Sequence, residues 1–141
     1  MNRSGVSPFY EALAHETGRL GGYHNAHMHL DRANTLADGF VDHGRVRVLE
    51  SSHISLQRKH ALIETVHNGL AYDEASLRAR IGDTIDIMCA VGTSQADTMV
   101  DVTPDRIGTD ALDTVNDIAK SVEDRISIRT AAYTPLGVRD G

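Results

Sequence analysis

The sequence predicts an α/β fold built on a parallel sheet. Three observations carry this: strand-like and helix-like segments alternate, the helical segments are long enough to be crossovers, and the first strand has an apolar face for helices to cover. In chain order, Ser7 and Pro8 suit the N-cap and first turn of a helix reaching about Thr17, which Gly18, Gly21 and Gly22 then end. A strand follows from about Tyr23 to Leu30. Alternation puts His27 and His29 on one face, with Ala26, Met28 and Leu30 on the other. His24 has the opposite parity and reads as structural.

Ala33 to Glu50 is polar, contains Gly and lacks periodicity, as expected of a long loop after a strand. Ser51 or Ser52 can cap the next helix, whose apolar positions Ile54, Leu62, Ile63, Val66 and Leu70 are irregular. His53, His60 and His67 recur every seventh residue, which reads as one solvated helix side. Asp73 is a natural N-cap for a helix carrying Leu77, Ile81, Ile85 and Met88, and Gly92 stops it. Cys89 reads as a small core residue, and Lys59, Arg78 and Arg80 as surface charges. The second strand, Ala96 to Val102, sets Thr98, Val100 and Val102 against Asp97, Met99 and Asp101. Thr109 opens a helix with the stripe Ala111, Leu112, Val115, Ile118, Ala119 and Val122, and Ile126 to Tyr133 is the third strand. Helices between strands of this length imply right-handed crossovers.

At 141 residues and 40% hydrophobic, the chain is one domain's worth of material with enough apolar residues for a core. Residues 1–20 form an amino-terminal helical segment and residues 21–141 three β/α units. A net charge of −6, with neither a basic run nor aromatics interleaved with Lys and Arg, argues against a nucleic-acid or anionic-membrane surface. The sole cysteine, Cys89, excludes an internal disulfide and points to a reducing compartment. No stretch resembles a signal peptide or a membrane span, so the expectation is a cytoplasmic protein.

The segment with chemistry in it is Asn25-Ala26-His27-Met28-His29-Leu30-Asp31-Arg32. Two imidazoles two positions apart on a strand can hold one metal ion. Taken with Leu77-Arg78-Ala79-Arg80, Gly92-Thr93-Ser94, Val100-Asp101-Val102 and Ala131-Ala132-Tyr133, this segment resembles the amidohydrolase superfamily, in particular its cytosine deaminase-like branch. The resemblance runs from about Gly22 to Val138. It implies a (β/α)8 TIM barrel whose first strand ends in a metal-binding His-x-His. His27 and His29 would then be ligands of catalytic Zn²⁺ or Fe²⁺ in an enzyme that hydrolyses a carbon–nitrogen bond of a small-molecule substrate.

This chain supplies about three of the eight strands, whereas a complete barrel takes about 250 residues. The remaining ligands and the aspartate acting as general base, which the family carries on later strands, have no counterpart. Met99 stands where relatives of that branch have His, and Pro135 where they have a pyrimidine-contacting glutamine, so cytosine is a poor guess for the substrate. A three-stranded parallel sheet leaves two unpaired edges and an unfilled barrel face. The expectation is an amino-terminal barrel portion completed by a complementary protein chain that brings the other strands and ligands; a fragment of a longer enzyme is the competing explanation. Asp31 and Asp101 are candidates to orient the ligands or nearby loop backbone from outside the metal's own ligand set. Besides a hydrolase subunit, two classes stay open: a non-catalytic structural or regulatory barrel subunit, and a small metal-free α/β binding module.

Overall fold

The computed structural model describes residues 7–36, 39–40, 63 and 65–135. They contain helix α1 (Pro8–Arg19), strand β1 (Tyr23–Met28), 3-10 turns at Leu30–Arg32 and Leu70–Tyr72, helix α2 (Glu74–Ala90), strand β2 (Thr93–Asp101), helix α3 (Asp110–Ser121) and strand β3 (Ser127–Tyr133). The strands form one parallel sheet in the order β1-β2-β3. The predicted α/β class and parallel pairing are therefore observed. The expectations for Ser51, Ser52, His53, Ile54, Lys59, His60 and Leu62, and for most of the Ala33–Glu50 loop, fall outside the described residues.

Helix α1 starts as its sequence dictates: Ser7 Oγ accepts the Phe9 amide at 3.3 Å, and Pro8 occupies the first turn. It runs past Thr17 through Gly18, because the Leu20 amide still reaches the Glu16 carbonyl at 3.0 Å. Gly21 and Gly22, at φ +98° and +88°, turn the chain into β1. At Gly22 an added Cβ would lie 2.5 Å from Ser94 Oγ and 2.8 Å from the Gly92 carbonyl. Positive φ and close approach act together there. Gly22→Ala should cost about 2 kcal/mol, read as a lower urea midpoint.

The core lies between the sheet and helices α2 and α3. Leu77, Ile81, Ile85 and Met88 of α2 and Ala111, Val115 and Ile118 of α3 are buried against Ala96 and Val100 of β2. Cys89, Leu112 and Val122 are half-buried beside them. Asp73 takes the N-cap position of α2, but its side chain makes no cap bond and pairs with Arg106 instead. Gly92, at φ +90°, ends the turn after α2.

Along β2, Ala96, Thr98 and Val100 point into this core, as alternation predicts. On the opposite face the register couples Asp97 with Arg129, Met99 with Ala131 and Asp101 with Tyr133. Strand β1 departs from simple alternation. Asn25 pairs with Ala96 and Met28 with Thr98, so three steps along β1 match two along β2. This is a β-bulge. Asn25 and Met28 both stay on the helix side, with Asn25 Nδ2 3.6 Å from Met28 Sδ. Ala26, expected to face the helices, is exposed at the bulge. The extra residue corrects the parity reading of His24, which shares the sheet face of Asp97. The strand also ends at Met28 rather than Leu30, because the Leu30 amide leaves the ladder to donate to Thr98 Oγ1 at 3.0 Å.

Candidate functional site

His27 and His29 flank Met28 at the end of β1 and lie side by side. Their ring centroids are 5.5 Å apart and their planes nearly perpendicular, at 84°. The His29 ring also packs edge-on against Tyr133 at the end of β3, at 5.3 Å. Burial, then the Arg32 guanidinium, hold the His29 pKa below the usual histidine value, so its ring is neutral at neutral pH. Its Nδ1 is buried without a hydrogen-bond partner in the structure. A neutral imidazole with an uncommitted ring nitrogen, beside a second imidazole, is chemically what a divalent cation needs. The pair fits such an ion as two of its ligands. No group of three or more His, Cys, Asp or Glu side chains that could hold a metal occurs among the described residues.

Asp31 and Asp101 come together, but not around the histidine pair. Both are fully buried. Asp31 turns inward: its Oδ2 accepts the Tyr72 hydroxyl at 2.9 Å and the Asp101 amide at 2.9 Å. Burial, then the neighbouring Asp101 charge, raise the Asp31 pKa. Asp101 accepts two bonds from Arg32, from Nε at 2.8 Å and Nη2 at 2.6 Å, and lies 3.0 Å from His67 Nε2. Burial alone would raise its pKa, but the bonds from His67 and Arg32 outweigh that and hold it low. Asp101 is therefore the hub of a buried charge network. It bonds to neither histidine of the pair, but its charge and that of Asp31 act on His29 against burial and Arg32, and the Arg32 it holds lies 5.7 Å over the Tyr133 ring against which His29 packs.

Two sequence readings are overturned here. His67 does not lie on a solvated face: 1% of its side chain is exposed, with Nδ1 2.8 Å from Asp105 and Nε2 3.0 Å from Asp101. Arg80 is not a surface charge but is buried beneath the turn that follows His29, donating to the backbone carbonyls of Asp31, Ala33 and Ala71. Its signal was present in the sequence, since it stands three residues after Leu77 and one before Ile81, on the apolar stripe of α2. His67 had no such signal, because its partners lie 34 and 38 residues away. Arg78 does lie at the surface, bonded to Glu74 at 2.9 Å.

A second polar row crosses the same sheet face nearer the strand starts. Arg129 grips Asp97 with two 2.6 Å bonds, and His24 Nε2 lies 3.1 Å from the same carboxylate. The Arg129 hydrogen bonds hold Asp97 below the usual carboxylate range. His24 thus has the structural role its sequence reading gave it, reached through the bulge.

No protein-family model matches the chain, and comparison with curated proteins gives no match. No helix among the described residues is long and apolar enough to cross a membrane.

Proposed function

We propose that this chain is the amino-terminal part of a metal-dependent, amidohydrolase-like (β/α)8 barrel that hydrolyses a carbon–nitrogen bond, with the remaining strands, ligands and general base coming from another polypeptide. The observation that carries this reading is the adjacency of the His27 and His29 rings at the carboxyl end of the first parallel strand. Active sites of such barrels sit at that end of the strands. A Zn²⁺ or Fe²⁺ ion held there supplies a water whose pKa lies near neutrality. His29 is kept neutral by burial and Arg32, and Tyr133 fixes its ring edge-on. The Arg32–Asp101 pair buttresses Tyr133 from below.

The test is the metal content and hydrolase activity of the native assembly purified with its co-purifying chains. Bound Zn²⁺ or Fe²⁺ is expected, and His27→Ala or His29→Ala should weaken its retention by at least about a hundredfold, the upper end of what losing an outer partner of a ligand costs. Activity should fall with it. A metal-free native assembly, or one whose metal survives both substitutions, rejects the reading. The alternative is a non-catalytic barrel subunit that carries the His27–His29 pair without taking part in the reaction. It predicts full activity of the assembly after both substitutions.

A further inference from the structure

The surroundings of His67 are built for one protonation state. A neutral imidazole has one N–H and one lone pair, yet both ring nitrogens of His67 face carboxylate oxygens, Asp105 at 2.8 Å and Asp101 at 3.0 Å. Only the imidazolium can donate to both. The carboxylates belong to different parts of the chain, Asp101 ending β2 and Asp105 in the turn beyond it, where Thr103 and the Ile107 amide also donate to Asp105. The other groups facing His67 are the Tyr72 ring at 4.7 Å, Arg32 held on Asp101, Asp31 behind Tyr72, and Arg106, whose Nη1 donates to the His67 and Gly69 carbonyls.

We propose that His67 is a proton-operated latch: as an imidazolium it ties the turn at residues 65–72 to the end of β2, and loss of one of its two N–H protons releases that turn. A neutral ring must leave one carboxylate facing a lone pair, so the network is stable in one form and frustrated in the other. Burial opposes the charged ring, but the bonds from Asp101 and Asp105 outweigh it and leave the His67 pKa raised. The latch is therefore closed below the ordinary histidine value of 6.5 and opens on the alkaline side of it. Because Asp101 also holds Arg32, the latch shares its anchor with the residues that support Tyr133 and His29. The inference is independent of the hydrolase reading.

The test is NMR on the full 141-residue chain. At about pH 6, below the ordinary histidine value, the His67 ring ¹⁵N shifts should show both nitrogens protonated. As pH rises through the His67 midpoint, the Gly69 and Tyr72 amides, which donate to Val66 O and Gly69 O, should lose protection against hydrogen exchange. The gap separating them from Ile81 and Val100 should widen at least about tenfold, the effect of one charge-assisted hydrogen bond. His67→Gln should remove this pH dependence. Asp105→Asn, a milder change at a part-exposed carboxylate, should shift the midpoint downward even if His67→Gln fails to fold. A neutral His67 ring at about pH 6, a gap that stays constant while the ring titrates, or an unmoved midpoint in Asp105→Asn would overturn the latch.

Discussion

Asp101→Ala should lower the unfolding free energy by about 3–5 kcal/mol, measured by urea denaturation near pH 6. The carboxylate is fully buried and takes both Arg32 bonds as well as the His67 contact. Removing it takes from Arg32 the carboxylate it is bonded to and from His67 one of its two. Against a total stability of about 5–15 kcal/mol for a domain, such a loss removes a large share of the margin. Asp101→Asn keeps the shape and discards the charge, so it separates packing from electrostatics. A loss below about 1 kcal/mol in both variants would show that the network is solvated in solution.

The same network fixes the sign of the pH dependence. Asp101 has a lowered folded pKa, so its contribution is present above the unfolded value near 3.8 and is lost as pH falls through the folded one. His67 has a raised folded pKa, so its contribution is complete below the unfolded value of 6.5 and is lost as pH rises through the folded one. Asp31 begins its decline at a lower pH than His67. Its pKa is raised by burial and by Asp101, so ionisation disfavours the folded state above the ordinary carboxylate value of 3.8. Urea midpoints should therefore be highest between these limits and fall on both sides.

Arg80→Met should cost about 3 kcal/mol or more. The replacement keeps most of the aliphatic stem, so the loss isolates the guanidinium. Three carbonyls from two separate stretches, Asp31 and Ala33 in the turn after His29 and Ala71 before α2, converge on that one group, which also lies 5.4 Å over the Phe40 ring. Without it those buried acceptors have no replacement donor in the structure. Arg80→Lys should recover only part of the loss, because an ammonium cannot span the same fork. Circular dichroism melts of the two variants check the order, and a stability for Arg80→Met equal to that of the parent would exclude the clasp.

Helix and strand periodicity made most of the scaffold legible. The stripes of α2 and α3, the alternation along β2, the Ser7 cap and the Gly92 stop all follow from local spacing, because the core they form is one oily layer against a sheet. The adjacency of His27 and His29 was legible for the same reason. What escaped was nonlocal. His67, Arg80 and the inward turn of Asp31 depend on partners 9 to 70 residues distant, and charged side chains default to water unless a partner is known. The face of His24 escaped because alternation assumes equal steps on both strands, which β1 violates.

That unequal step gives β1 two halves that keep separate time with β2. Ala26 points to solvent, so many residue types should be accepted there. Removing it would leave two steps on each strand between Asn25 and Met28, so the ladder would become regular with Met28 still opposite Thr98 and both imidazoles on their present face. The histidine pair should therefore keep its orientation whether or not the spare residue is present.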